Sequence, residues 1–275
     1  MPNEEPKPVE PPKNWPHYEL WRRVKDILER LPDNFTSTLN IVSAVNVDEI
    51  YAFGEALSYV IEEEVVRTLN RARKIWDPDD VYHEYTFVRQ PQAFPDVLLL
   101  EPVSNEKLMG IELKSWYLLA KEGEPSFRYK VTPKACAPQD LLVVVPWALS
   151  NVVTGSPIIF KPFITSARFA ADYRNYWWRY LRKAKGDVTI RSPENVGFYP
   201  ASRERIDDEP SEDPGKNFGR LARTEVMDEW VKKLRKEKLL GIEIEKWILF
   251  FKTGGSRYKE TCGKQLRLST QGESS

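Results

Sequence analysis

Two carboxylates and one lysine at short spacing are the residues of this chain best suited to chemistry. Asp96 follows Pro95, and after fifteen intervening residues comes Glu112, with Lys114 two positions later. Two carboxylates a few ångströms apart repel each other, and a hard divalent cation such as Mg2+ relieves the repulsion with oxygen ligands. A lysine beside that ion can position a water molecule or stabilise a developing negative charge. These residue types therefore indicate hydrolysis of a phosphodiester.

The spacing of these residues fits two neighbouring strands. Pro-Asp pairs occur at 32–33, 78–79 and 95–96, and acid-x-Lys triplets at 5–7 and 112–114. Among these, Asp96 with Glu112 and Lys114 falls on consecutive strand-like segments after a long predicted helix. Alternate residues of a strand share a face, so Glu112 and Lys114 point to one side, and strand pairing can bring Asp96 beside Glu112.

The elements that must position this group follow from hydrophobic periodicity. Apolar residues at helical spacing predict a long helix over 48–73, and alternating or continuous apolar runs predict strands over 81–88, 96–100, 108–118, 141–145 and 158–164, the last broken by Pro162. Further helices are predicted over 15–31, 166–184 and 218–238, with an acidic loop over 202–215. This order predicts one α/β domain with peripheral helices.

The pattern formed by Pro95, Asp96, Glu112 and Lys114 resembles the PD-(D/E)XK nuclease superfamily, the fold of type II restriction endonucleases. The resemblance covers roughly residues 48–145. It implies an α/β fold with a restriction-endonuclease-like core, in which a central mixed β-sheet is flanked by helices, with additional helices outside it. Independently of the resemblance, the two widely separated cysteines favour a cytoplasmic protein, and the lack of glycine-rich phosphate loops predicts that no nucleotide cofactor is needed.

The resemblance assigns roles to individual residues. Asp96, Glu112 and Lys114 would be catalytic, and Glu62 in the preceding helix would be the extra acidic residue, with Glu55 on the same helix face as the alternative. Asp96, Glu112 and the Leu113 carbonyl would hold Mg2+. Lys114 would orient or activate a water for in-line attack that leaves 5′-phosphate ends. Two further polar residues precede the apolar strand and are weaker candidates for the site, Gln139 and Asp140.

The predicted function is site-specific cleavage of double-stranded DNA by a type II restriction enzyme. Cleavage at a palindrome implies a homodimer, and a DNA methyltransferase would be the functional partner. The same core also serves resolvases and repair nucleases, and a non-catalytic DNA-binding protein on a nuclease fold is the alternative from another class. Metal-dependent cleavage distinguishes the enzymatic alternatives from the non-catalytic DNA-binding protein.

Charge is segregated along a chain whose 41 Lys and Arg balance 41 Asp and Glu. Residues 113–192 carry thirteen bases against five acids, and residues 193–213 carry seven acids against two arginines. Such blocks can form a basic cleft, although a solvated mixed-charge surface is the alternative. The candidate DNA contacts are Lys130, Lys134, Arg168, Arg174, Arg179, Arg182, Lys183, Lys185, Lys216, Arg220 and Arg223. Tyr176–Tyr180 could stack on bases, but aromatic residues at helical spacing more often belong to a core or a dimer interface.

Several reaction classes are excluded by what the sequence lacks. His17 and His83 are the only histidines, and neither has the partners of a hydrolase triad or a histidine-metal site. No glycine-rich phosphate loop occurs, and the two cysteines form no CxxC pair. No apolar run is long enough to span a membrane.

The 275 residues are expected to form three segments. These are a disordered arm over 1–14, one nuclease domain over 15–252 and a partly flexible tail over 253–275.

Overall fold

Six strands form a central, curled, mixed sheet in the computed structural model, which describes residues 4–37, 39–41, 47–120, 122–183 and 186–253. The hydrogen-bonded path is β1-β2-β3-β4-β5, and β6 also pairs with β4. The strands are β1 (Thr86–Arg89), β2 (Val97–Leu100), β3 (Lys107–Tyr117), β4 (Leu141–Leu149), β5 (Pro157–Ile159) and β6 (Phe163–Ser166). Only β3 and β4 run parallel, and the other pairs are antiparallel.

Strand β4 is the centre of the sheet and is buried over its whole length. Its Leu-Leu-Val-Val-Val run suits a strand covered on both faces, because β-branched side chains pack well on a pleated surface. β3 lies along one side, and β6 and β5 follow each other along the other side. The predicted break at Pro162 is confirmed, since it separates β5 from β6.

Helices flank this sheet. Helix α3 packs against β1 and β3, α5 packs against β4 and β6, and α1 contacts α3 and α4. The helices are α1 (Tyr18–Glu29), α2 (Leu31–Asn34), α3 (Val47–Arg71), α4 (Arg73–Trp76), α5 (Ala167–Tyr176), α6 (Asp228–Leu234) and α7 (244–253). Of residues 47–56 only the backbone is described. Short 3-10 turns cover Pro133–Ala135 and Leu221–Arg223, and a π-helical turn covers Trp177–Leu181.

Two-stranded ribbons lie outside the central sheet. They are formed by β7 (Ile190–Arg191) with β8 (Glu209–Pro210), and by β9 (Lys238–Leu239) with β10 (Ile242–Glu243). The main apolar core draws residues from α1 through α7, and a smaller cluster joins Trp178, Ile190 and Phe218. The α/β class and the helix-flanked mixed sheet predicted from sequence are confirmed.

Two predicted helices are wrong in extent. The helix expected over 218–238 is divided, because Glu225 adopts a left-handed φ of 70° and the Thr224 hydroxyl donates to the Leu221 carbonyl. The helix expected over 166–184 is capped by Ser166, whose Oγ accepts from the Phe169 amide at 3.3 Å. It ends at Tyr176, where the backbone widens into the π turn.

The strand expected over 81–88 is also shorter than predicted. It begins only at Thr86, because Asp77 caps a turn by accepting from the amides of Val81 and Tyr82 at 2.9 Å. His83 therefore lies in a turn rather than in a strand.

The chain ends differ in how far they are described. Residues 4–14 contain no helix or strand, yet Pro11 is buried and Glu10 pairs with Lys25 at 2.8 Å. Of the predicted tail, only 253 falls within the described residues. Among the helices of the described part of the chain, none is long and apolar enough to cross a membrane.

Candidate active site

The two carboxylates predicted to act together meet where β2 begins. Val97 pairs with Ile111, and continuing this antiparallel register by one residue sets Asp96 opposite Glu112. The side chains of Asp96 and Glu112 line the same cleft. The predicted juxtaposition of these two residues is therefore confirmed.

The ammonium group of Lys114 lies between the carboxylates. Its Nζ is 3.0 Å from Asp96 Oδ2 and 2.8 Å from Glu112 Oε1. Burial raises the pKa of Glu112 to about 7, a rise that Lys114 opposes and Asp96 reinforces. Burial would lower the pKa of Lys114, but its attraction to the two carboxylates outweighs burial and raises it.

The two pKa shifts favour incompatible states. The raised pKa of Glu112 favours its neutral form, whereas the raised pKa of Lys114 depends on an ionised Glu112. A charged Lys114 best fits the geometry, since its Nζ lies within hydrogen-bond distance of both carboxylates. The site is thus one ammonium group shared by two carboxylates.

The backbone of Leu113 also faces the Asp96 carboxylate. Its N–H donates to Asp96 Oδ2 at 3.0 Å, beyond the point where β2 pairs with β3. Because the N–H and C=O of one strand residue point toward the same neighbour, the Leu113 carbonyl is directed to the Asp96 side as well. This is the third oxygen that the sequence resemblance assigns to the metal.

Glu62 approaches this group from helix α3. Its Oε2 accepts from Arg89 Nη2 at 2.6 Å, and Arg89 is paired with Val97, the residue after Asp96. Burial raises the pKa of Glu62, and the nearby Asp96 raises it further. The structure therefore brings Glu62 to the site, while the side chain of its alternative, Glu55, lies outside the described residues.

A close backbone contact fixes the position of the Pro-Asp segment. A Cβ placed on Gly110 would lie 2.2 Å from Pro95 Cγ and 2.9 Å from Asp140 Oδ1, so only glycine fits there. The Gly110 amide donates to the same Asp140 oxygen at 2.8 Å. Strand β3, the start of β4 and the residue before Asp96 are thereby held together.

Asp140 is an internal anchor and not a cleft residue. Its fully buried carboxylate also accepts from the Ala137 amide at 2.7 Å and from the Tyr199 hydroxyl at 3.1 Å. Burial raises the pKa of Asp140 to about 6 against the opposing effect of these donors. Gln139 donates to the Tyr199 hydroxyl as well, so these two sequence candidates position the site rather than line it.

The cleft itself is acidic. It measures about 450 Å3 and is lined by residues 92–94, by Asp96 and Glu112, and by residues within the segment 201–209, most of which belongs to the predicted acidic loop. Its described lining carries five carboxylates and a single basic side chain, Arg205, so the basic cleft expected from charge segregation is not found here. The lining consists of Gln92, Ala93, Phe94, Asp96, Glu112, Ala201, Ser202, Glu204, Arg205, Ile206, Asp207 and Glu209.

Arg174 is a correction to the predicted DNA contacts. It is 1% exposed, and its guanidinium donates to the carbonyls of Tyr129 and Val131 and pairs with buried Asp208 at 2.5 Å. Burial lowers the pKa of Arg174, although Asp208 opposes that shift. A side chain enclosed in this way cannot reach a phosphate, and its role is to join α5 to the cleft-forming segment.

None of the other predicted contacts is among the described residues that line the cleft, although Lys130 lies close to Asp207, which does line it. Lys134 donates to the Pro193 carbonyl, Arg182 stacks on Trp178 at 3.6 Å, and Arg223 pairs with Glu124 at 3.1 Å. The remaining described members are exposed or half-buried, namely Lys130, Arg168, Arg179, Lys183, Lys216 and Arg220. Lys185 lies outside the described residues.

The aromatic cluster Tyr176–Tyr180, predicted as core or as a stacking surface, contains both a buried and an exposed ring. Trp178 is 2% exposed and packs edge-on against Phe218, with ring centroids 5.1 Å apart. Tyr180 is 50% exposed and contacts Tyr176.

The donor set suits a magnesium ion. Mg2+ is usually bound through one or two carboxylates and keeps several waters, so it does not need a complete protein cage. In the described parts of the chain, no three acidic, histidine or cysteine side chains form a metal-binding group. The two carboxylates and the Leu113 carbonyl are nevertheless the oxygen ligands this cation prefers.

Sequence reasoning missed three features of the site. Arg89 as the partner of Glu62, Tyr199 as a donor to Asp140, and Arg205 in the cleft all come from segments with no recognisable motif. Arg205 is one of two bases in the acidic stretch 193–213, which is the only signal that could have drawn attention to it.

Comparison with known proteins adds no assignment: the chain matches no protein-family model, and no curated protein matches its sequence.

Proposed function

We propose that this protein is a Mg2+-dependent endonuclease of the PD-(D/E)XK type that cleaves double-stranded DNA. The observation that carries the proposal is the meeting of Asp96, Glu112 and Lys114 at one point of the sheet, with Lys114 Nζ within 3.0 Å of both carboxylates. The order of helix α3, hairpin β2-β3 and buried parallel strand β4 agrees with the core that the resemblance implies.

Each residue has a task in that reaction. A Mg2+ ion held by Asp96, Glu112 and the Leu113 carbonyl would supply the Lewis acid that polarises the phosphodiester and lowers the pKa of water. Lys114 places a positive charge where negative charge develops on the phosphate oxygens, and it can orient the attacking water. Glu62, restrained by Arg89, supplies a further acceptor beside Asp96.

The finer assignment within this class is a type II restriction enzyme. We propose site-specific cleavage that leaves 5′-phosphate ends, a homodimer that matches the two-fold symmetry of a palindromic site, and a DNA methyltransferase that protects the host sequence. The charged and aromatic surfaces outside the cleft are available for such contacts, with Tyr180 and Arg179 both exposed.

The test is incubation of the purified protein with unmethylated plasmid and phage DNA in Mg2+, read on a gel. Controls are EDTA, the Lys114→Ala variant and the matched variant Lys107→Ala, which removes a lysine from the same strand outside the catalytic group. We expect discrete fragments from the parent and from Lys107→Ala, and none from Lys114→Ala or with EDTA.

The alternatives give different results in the same assay. Cleavage of branched substrates only indicates a resolvase or repair nuclease. DNA binding without cleavage of any substrate indicates a non-catalytic protein. Equal cleavage by the parent and by a folded Lys114→Ala protein refutes the proposed mechanism.

A further inference from the structure

The cleft beside Asp96 and Glu112 carries a negative charge that Lys114 does not offset. Its described lining carries five carboxylates, and a DNA phosphate entering it would be repelled. Lys114 is already engaged by Asp96 and Glu112, at 3.0 and 2.8 Å. A further basic side chain in the cleft would therefore strengthen phosphate binding beyond what Lys114 and a bound cation supply.

Arg205 is the one basic side chain in the described lining of the cleft. Its side chain is 69% exposed, and its only described ion pair is to Glu209, at 2.5 Å, on the same segment. An ion pair between exposed side chains contributes little to stability, so a phosphate can displace Glu209 at small cost. A guanidinium also binds phosphate oxygens through two parallel hydrogen bonds, which a lysine cannot do.

The backbone that carries Arg205 is held firmly against the rest of the molecule. The Thr132 amide donates to the Ile206 carbonyl at 2.7 Å, and the Asp208 amide donates to the Lys130 carbonyl at 2.8 Å. Asp208 is anchored in turn by buried Arg174. Arg205 thus carries an exposed side chain on a fixed backbone, so no backbone ordering is needed when it binds a ligand.

We propose that Arg205 binds a phosphodiester group of the nucleic-acid strand that enters the cleft beside Asp96 and Glu112. This inference rests on the proposed nuclease function and adds to it a substrate-binding residue on the segment predicted from sequence to be an acidic loop. The Glu209 carboxylate holds the guanidinium in the free protein and gives it up to the phosphate.

The test compares Arg205→Gln with Arg203→Gln, which removes an exposed arginine two residues away that does not line the cleft. Binding of a labelled DNA duplex is measured by fluorescence anisotropy in Ca2+ over a range of salt concentrations, and cleavage is measured in Mg2+. We expect Arg205→Gln to weaken binding about tenfold or more, as loss of a charge-assisted hydrogen bond would. We also expect the slope of log Kd against log salt to fall by about 1, the value for one phosphate contact.

Arg205→Lys keeps the charge, so it should retain the salt slope and part of the affinity, which separates charge from folding. Thermal unfolding of every variant provides the folding control. If Arg205→Gln and Arg203→Gln have equal DNA affinity and salt slope while the parent binds and cleaves DNA, the assignment of Arg205 is overturned. The nuclease function is not overturned by that result. A parent that neither binds nor cleaves DNA overturns the nuclease function and this assignment with it.

Discussion

Lys114 neutralises two carboxylates that would otherwise face each other partly buried. The Glu112 side chain is 8% exposed and that of Asp96 22%, so loss of the ammonium group leaves two acids without their counter-charge. A divalent cation can take over that task because it prefers the same oxygens. A bound metal ion would therefore take over part of the stabilising role of Lys114.

Removal of this ammonium group should make stability depend on metal. We expect Lys114→Met to lower Tm in EDTA at pH 8 by about 5 °C, the effect of roughly 2 kcal/mol on a chain of this size. Ca2+ should raise the Tm of Lys114→Met more than that of the parent. Thermal unfolding with and without Ca2+ measures both effects, with Lys107→Met as the control. Equal Ca2+ effects on the parent and on Lys114→Met would contradict the idea that a cation can replace the Lys114 ammonium group.

Glu62 offers a second test at the scale of one residue. It bonds Arg89 and lies near Asp96, whereas its neighbour Glu63 pairs only loosely with Arg67, at 3.7 Å. Outer residues of a metal site typically contribute about 10- to 100-fold to metal affinity or activity. We therefore expect Glu62→Gln to slow cleavage by that amount while Glu63→Gln has no effect. Rates at saturating Mg2+ and the Mg2+ concentration at half-maximal rate would be compared for the two variants.

At the scale of elements, the contact between β3 and the Pro-Asp segment leaves no room for a side chain. In Gly110→Ala the new Cβ would meet Pro95 Cγ at 2.2 Å, so the segment that carries Asp96 must shift. Overpacking of this kind costs typically about 1–3 kcal/mol. We expect lower stability and strongly reduced cleavage. The control is Gly197→Ala, where a Cβ would meet nothing within 4 Å, and urea unfolding and cleavage rates should there equal those of the parent.

The same anchor predicts a pH dependence of stability. Burial raises the pKa of Asp140 to about 6 from 3.8, so the folded state holds this proton more tightly than the unfolded state does. Its contribution to stability is therefore full below about pH 4 and is lost as pH rises through 6. Two pKa units correspond to about 3 kcal/mol.

Asp140→Asn does not titrate, so the stability of the parent relative to this variant should be greater at pH 4 than at pH 7. Urea unfolding of both proteins over this range measures the difference. A constant difference would mean that the donors from Gly110, Ala137 and Tyr199 keep the carboxylate ionised.

These elements also show what the sequence could and could not predict. Local patterns predicted α3, β2, β3 and β4, because long helical periodicity and apolar runs bounded by turns are strong signals. Pairing of β2 with β3 followed from their short separation, which placed Asp96 beside Glu112. The divided helix at Glu225 depends on backbone geometry, and the burial of Arg174 depends on Asp208 arriving from 34 residues away. Neither of these is visible in local sequence.

For the whole molecule, the segregated charges are arranged differently from the basic cleft that composition suggested. The described cleft lining is acidic, while exposed bases such as Arg179 and Lys216 lie on other surfaces. The basic surfaces can attract DNA at a distance, but entry of a phosphate into the cleft needs compensation of the carboxylates. Cation binding and DNA binding should therefore be coupled, each strengthening the other as linkage requires.

This coupling can be measured as the effect of Ca2+ on DNA affinity. We expect the parent to bind a DNA duplex about tenfold or more tightly in Ca2+ than in EDTA, a coupling of roughly 1.4 kcal/mol.

Asp96→Asn removes one of the repelling charges and one of the ligands, while its amide oxygen can still accept from the Leu113 N–H. This variant should bind DNA more tightly than the parent in EDTA and respond less to Ca2+. Ionic strength is matched between the two buffers, because a general salt effect would otherwise mimic coupling. If affinity is the same with and without Ca2+, DNA is held by the basic surfaces alone and its phosphates do not enter the cleft.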